Sequence, residues 1–182
     1  PNLVDRAAFD RLVDEMFESR WFTNNGRLVQ RLEGRLQQYL NVKHVVLVNN
    51  GTTGLQIAAR ALGLSGEVIL TAFTFVATAH ALQWLGIKPV FCDVDPRTHC
   101  LDPHKIEALI TDRTSAILGV HVWGHPCPTE EIAAIAARHN LATFYDAAHA
   151  FGCRHNGQMI GSFGRCEVFS LHATKFFHTF EG

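Results

Sequence analysis

The sequence predicts an α/β fold: a mainly parallel sheet with helices on both faces. Short apolar runs alternate with amphipathic segments from about residue 44 onward, and the links between them are short. The chain of 182 residues, 47% hydrophobic and 18% charged, is long enough for one sizeable core.

The elements follow in order. Val4, Phe9, Leu12, Val13, Met16 and Phe17 fall at helical spacing and predict a helix over 5–19. Trp21-Phe22-Thr23-Asn24-Asn25-Gly26 interrupts it with turn residues. Leu28, Leu32, Leu36 and Leu40 recur every four residues and predict a second amphipathic helix over 27–40. Apolar strands are then predicted at 44–48, 67–70, 89–93, 115–120, 141–145 and 167–171. Helices are predicted between them at 52–62, 75–85, near 103–109 and at 128–139. The last has an acidic first turn, Thr129-Glu130-Glu131. In such sheets ligands gather at the carboxyl ends of the strands. Asn49–Thr53, Thr71–Phe75, Asp146 and Ser170 fall there.

Composition excludes several classes. Net charge is -1, from 16 basic and 17 acidic side chains, so neither nucleic acid nor an anionic membrane is an expected partner. No apolar run reaches the roughly 20 residues of a membrane span. The five cysteines are odd in number and lack Cys-x-x-Cys spacing, which reads as reduced thiols in a cytoplasmic protein. His121 and His125 lie four apart, but Gly124 and Pro126 argue against a shared helix face, and no metal site is expected. The chain begins without Met and shows no signal-peptide layout.

Four segments carry chemistry. Asn49-Asn50-Gly51-Thr52-Thr53-Gly54 follows a predicted strand and opens a helix. It reads either as a phosphate cradle at a helix N-terminus or as a plain N-cap at Thr52. Phe73 and Phe75 are either core residues or an aromatic laid over a flat ring. Asp146 ends an apolar run, where a carboxylate is costly unless paired; it either caps the next segment or holds a protonated ring nitrogen. Lys175 follows the next run, with Phe176, Phe177 and Phe180 as an apolar setting that suits Schiff-base chemistry. A lysine and an aspartate so placed match the needs of pyridoxal phosphate.

Taken together, these segments resemble the DegT/DnrJ/EryC1/StrS family of sugar aminotransferases. The resemblance starts at Trp21-Phe22-Thr23-Asn24-Asn25-Gly26 and runs through the Asn-Gly-Thr turn, Thr71-Ala72-Phe73-Thr74-Phe75-Val76-Ala77-Thr78 and Phe91-Cys92-Asp93-Val94-Asp95. It continues through His121-Val122-Trp123-Gly124 and Tyr145-Asp146-Ala147-Ala148-His149-Ala150 to Ser170-Leu171-His172-Ala173-Thr174-Lys175. It implies the large domain of a fold type I enzyme, with a sheet of the seven-stranded type. Residues 1–26 would form an N-terminal helix and lead-in segment, and residues 27–182 the cofactor-binding large domain. The C-terminal small domain would lie outside the chain, which stops seven residues past Lys175.

The resemblance also implies roles. Lys175 is the internal aldimine lysine and Asp146 faces the pyridine nitrogen. Gly51 and Thr52 hold the phosphate, with Ser170 adding a hydroxyl. Phe75 stacks on the ring. His149 stands where many members have Gln, near the ring hydroxyl, and Phe176 replaces a common Asn. Members that dehydrate the sugar carry His in place of the lysine, so Lys175 favours transamination. The implied reaction is a ping-pong transfer, through pyridoxamine phosphate, from L-glutamate to a nucleotide-linked 4-keto-6-deoxyhexose. It would occur in a cytoplasmic homodimer. Two other readings stay open: a truncated, non-catalytic fragment of such an enzyme, and another fold type I enzyme such as one resembling a cysteine desulfurase.

Overall fold

The computed structural model describes residues 3–181. Pro1, Asn2 and Gly182, which the predicted limits 1–26 and 27–182 include, lie outside them. Helix α1 (Arg6–Ser19) starts where the Asp5 side chain accepts from the Ala8 amide at 3.0 Å. None of its residues is buried. Phe9 meets Phe180 edge-on at 5.4 Å, and Phe17 meets Phe22 at 5.3 Å. Helix α2 (Arg27–Leu40) buries Leu36 and Leu40, two members of its leucine stripe.

The alternating region follows: α3 (Gly51–Ala61), β1 (Glu67–Thr71), α4 (Val76–Gln83), β2 (Lys88–Cys92), α5 (Pro103–Ile106), β3 (Thr114–Val120), α6 (Thr129–Arg138) and β4 (Ala142–Asp146). Two-residue strands β5 (Arg154–His155) and β6 (Gln158–Met159) make a small antiparallel hairpin that the periodicity is too short to reveal. Strand β7 (Glu167–Val168) closes the set. The main sheet runs β2-β1-β3-β4-β7, and every pairing in it is parallel. Pro89 sits in β2, at the sheet edge, where its missing N–H is tolerated.

Side chains alternate between two cores. Val68, Leu70, Ala116, Leu118 and Phe144 face one way, against Leu55 of α3 and Leu82 of α4. Ile69, Ile117 and Tyr145 face the other, against Ile106 of α5 and Ile132 of α6. Full burial of each large side chain contributes roughly 1.5–3 kcal/mol. Helices thus cover both faces, as a parallel sheet requires.

The sheet differs from expectation in two places. It holds five strands among the described residues, not seven. The predicted strand 44–48 is not one: the segment joins no ladder, and the Leu47 amide donates instead to Glu33 Oε1 of α2 at 2.8 Å. Alternating apolar residues make a segment extended, but a strand also needs a neighbour. The run 167–171 pairs only through Glu167 and Val168. Beyond Val168 the chain leaves the sheet, and that departure carries Ser170 and Lys175 to the site.

Candidate active site

All seven residues singled out from the sequence line one cavity of about 600 Å³: Gly51, Thr52, Phe75, Asp146, His149, Ser170 and Lys175. That volume lies within the roughly 300–1,000 Å³ of ligand sites. The cavity opens at the carboxyl ends of β3 and β4 and at the N-termini of α3 and α4.

Asp146 is the last residue of β4 and is 7% exposed. Its Oδ2 accepts from Thr78 Oγ1 at 2.7 Å, and its Oδ1 accepts from the Ala148 amide at 3.0 Å. Thr78 Oγ1 also lies 2.8 Å from Thr74 Oγ1. Since the Thr78 proton is committed to Asp146, Thr74 donates to Thr78. The result is a relay of two hydroxyls ending on a buried carboxylate. Thr78 closes the Thr71–Thr78 segment, but nothing in the sequence marks it as a partner of Asp146. Both donors to Asp146 are neutral, so its charge has no cationic partner there. A buried carboxylate in that state is costly, and a protonated ring nitrogen in the cavity would relieve it.

The cap of α3 is Asn50, not Thr52. Asn50 Oδ1 accepts from the Thr53 amide at 2.9 Å. This leaves Gly51 and Thr52 in the first turn, facing the cavity at the positive end of the helix. A Cβ added to Gly51 would meet only ordinary contacts, at 3.7 Å from Phe169 O and Ser170 Cβ. Packing within the protein does not demand glycine there, whereas close approach of an anion would. Ser170 is buried beside it, and Phe75 is 69% exposed over the opening of α4.

Lys175 is half-buried, and its amide donates to His172 O at 2.8 Å. The three phenylalanines do not enclose it as expected. Phe177 stacks on Phe151 at 4.8 Å, Phe180 packs on Phe9, and Phe176 is 76% exposed. His149 accepts a hydrogen bond from the Trp123 amide at Nδ1, at 3.4 Å, which assigns its ring proton to Nε2. Burial, then the nearby Lys175 charge, lowers the pKa of His149, with Asp146 opposing.

His121 and Glu167 form a second buried arrangement behind the site. Nε2 and Oε2 lie 3.2 Å apart with both side chains fully buried, and His121 Nδ1 accepts from the Cys127 amide at 2.9 Å. The imidazole stacks on Tyr145 at 5.1 Å. His125 is exposed, so the two histidines do not converge. Among the described residues no group of three or more His, Cys, Asp or Glu could hold a metal ion, and no helix is long and apolar enough to cross a membrane.

Known proteins resemble this chain over its whole length. The chain is 48% identical to the dTDP-4-amino-4,6-dideoxy-D-glucose transaminase of Shigella dysenteriae, over 100% of its own length and 50% of that protein. It superposes on the crystal structure of DesI, determined in the presence of its TDP-sugar product, with a TM-score of 0.98 at 48% identity. That match covers 100% of this chain and 46% of DesI. NtdA of Bacillus subtilis, with bound cofactor PMP, gives a TM-score of 0.79 at 34% identity, covering 85% of this chain and 36% of that one. The chain spans about half the length of the Shigella transaminase and of DesI, and 36% of NtdA. Residues 4–182 match the family model as well, and the chain belongs to the DegT/DnrJ/EryC1/StrS aminotransferase family.

Proposed function

We propose that residues 27–182 form the large domain of a pyridoxal-phosphate-dependent aminotransferase, with residues 1–26 as its lead-in. The reaction moves an amino group from L-glutamate to C4 of a nucleotide-linked 4-keto-6-deoxyhexose. One observation carries the reading: a buried carboxylate with only neutral donors, Asp146, shares a cavity with Lys175 and the N-terminus of α3. The names of the Shigella transaminase and of DesI with its TDP-sugar product support the substrate class. Because the chain spans about half of these relatives, the activity is proposed for the protein that carries this domain.

The bound cofactor supplies an electron sink and a carrier for the amino group. Asp146, oriented by Thr78 and Ala148, would hold the proton on the ring nitrogen. The first turn of α3, with Gly51 and Thr52, would bind the phosphate with its amides and the Thr52 hydroxyl, and Ser170 would add a second hydroxyl. Phe75 would cover the ring, and His149 Nε2–H would donate toward its hydroxyl. Lys175 Nζ would hold the cofactor covalently and, once the donor amine displaced it, the freed amine would take the proton from the donor Cα. The homodimer and the cytoplasm belong to this reading too, the latter on cysteine usage.

The test is Lys175→Ala with pyridoxal phosphate added. The variant should lose the visible absorbance of covalently bound cofactor and all transfer from L-glutamate. Retention of both would overturn the assignment. If labelled glutamate and nucleotide keto-sugars yield no amino sugar with the wild type, another fold type I chemistry is favoured.

A further inference from the structure

His121 and Glu167 make a buried contact that the chemistry of the cavity does not use. Nε2 lies 3.2 Å from Oε2, and both side chains are fully enclosed. Because Nδ1 accepts from the Cys127 amide, the ring proton is on Nε2 and faces the carboxylate. The contact is not aligned as a hydrogen bond, and neither atom has a hydrogen-bond partner among the described residues. Each is left to the other. Apolar side chains of the same volume would fill this space without that cost, so folding alone does not call for the pair.

The pair has a particular place in the sheet. His121 directly follows β3, Glu167 opens β7, and β4 runs between them. Strands on either side of a third lie roughly 9–10 Å apart, a span that an imidazole and a glutamate bridge together. The imidazole rests on the Tyr145 ring, so the contact straps β3 to β7 across β4, one residue before Asp146. Backbone bonds grip the same point: the His121 amide donates to Asp146 O at 3.0 Å, and the Ala147 amide to Val168 O at 2.8 Å. Strand β7 pairs through two residues only. Glu167 Oε1 anchors it further, accepting from the Gly161 amide at 2.9 Å and the Phe163 amide at 2.6 Å.

We propose that His121 and Glu167 are a positioning pair: they fix where β7 leaves the sheet, and so where Lys175 stands relative to Asp146. This role rests on the aminotransferase reading above. Asp146 ends β4, and Val168, its partner in register, is the last residue of β7. Everything from Ser170 to Lys175 hangs from that point. A shift of β7 along β4 therefore moves the amine relative to the carboxylate by the same amount, and a misplacement of about 1 Å can cost a reaction 100-fold.

The experiment uses the whole protein that carries this domain, freed of cofactor and mixed with pyridoxal phosphate. His121→Asn keeps an acceptor for the Cys127 amide and removes the group that faces Glu167. Glu167→Gln keeps an oxygen for the Gly161 and Phe163 amides and turns an N–H against the imidazole N–H. Glu67→Gln, at the opposite end of the sheet, controls for lost stability. The visible absorbance of covalently bound cofactor should appear about 10- to 100-fold more slowly in the first two variants, and at the wild-type rate in Glu67→Gln. The double variant should be no slower than the slower single one. His121→Gln, whose amide N–H reaches the place of Nε2–H, should recover part of the rate. Without cofactor, hydrogen exchange at the Ala147 amide should quicken in His121→Asn and Glu167→Gln while that of β1 does not change. In turnover kcat should fall with the KM for L-glutamate little changed. Glu167→Gln, the milder change, carries the test where His121→Asn does not fold. Wild-type rates in the variants, or equal slowing in Glu67→Gln, would overturn the positioning role and leave the aminotransferase reading intact. A wild type that never acquires the absorbance would overturn both.

Discussion

Thr78 of α4 donates to Asp146 of β4 at 2.7 Å, across a separation of 68 residues and in a fully buried setting. The bond ties the orientation of the site's carboxylate to a helix on one face of the sheet. The Ala148 amide fixes the other oxygen, so the carboxylate plane cannot rotate without breaking one of the two bonds.

Thr78→Val keeps the shape of that side chain and removes the donor. The buried carboxylate then loses one of its two partners, which costs roughly 1–3 kcal/mol of folding stability, and Thr78→Ser should restore most of it. Urea denaturation of the three proteins checks this. The affinity for pyridoxal phosphate should fall in the same order, because Asp146 is left free to turn.

His149 makes a second prediction, about pH. Its pKa lies below the ordinary 6.5 through burial and the Lys175 charge. The unfolded chain therefore takes up a proton before the folded one does. The stability tied to a neutral His149 is present above pH 6.5 and lost as pH falls through the lowered value. An NMR titration should place the His149 midpoint below 6.5, and Lys175→Met should raise it. A midpoint at or above 6.5 in the wild type would contradict the burial argument.

What the sequence made legible follows from how local each signal is. The helices and central strands are written in apolar periodicity, which acts over a few residues. Asp146 and Lys175 are readable because each is a charged group beside an apolar run. The segment 44–48 misleads because periodicity reports an extended chain and is silent about the neighbour a ladder needs. Asn50, rather than Thr52, caps α3 because the backbone turns two residues earlier than the hydroxyl-rich run suggests. Thr78 and the Trp123–His149 bond are invisible for a different reason. Each joins elements far apart in sequence, and neither residue type is unusual where it stands.

Glu67 supports a third prediction, again about pH, at the opposite end of the sheet. Its carboxylate is buried and accepts from Thr111 Oγ1 at 2.8 Å and from Lys88 Nζ at 3.1 Å, with Arg113 on the same oxygen as Lys88. The Thr111 hydrogen bond, then that of Lys88, holds its pKa below the ordinary 4.5 against the opposing effect of burial. Its contribution to stability is complete above pH 4.5 and is lost as pH falls through the lowered value. Acid denaturation curves of wild type and Glu67→Gln should therefore differ in slope only below that point. Added salt should shrink the difference.

Gly119, next to the carboxyl end of β3, leaves the room that the Tyr145 ring of the neighbouring strand occupies. A Cβ at this position would lie 2.5 Å and 2.6 Å from two carbons of the Tyr145 ring and 3.2 Å from Cys127 Sγ. The ring cannot swing away freely, since it is buried and its other face rests on His121. Gly119→Ala should therefore destabilise the fold by roughly 1–3 kcal/mol, the range for overpacking a core. The displaced Tyr145 lies next to Asp146 in β4, so pyridoxal phosphate should also bind more weakly. Adding Tyr145→Leu in the Gly119→Ala background opens the space the new methyl needs. The double variant should then be more stable than the sum of the two single effects predicts. Strict additivity in urea denaturation would show that the contact between Gly119 and the Tyr145 ring does not limit packing at this point of the sheet.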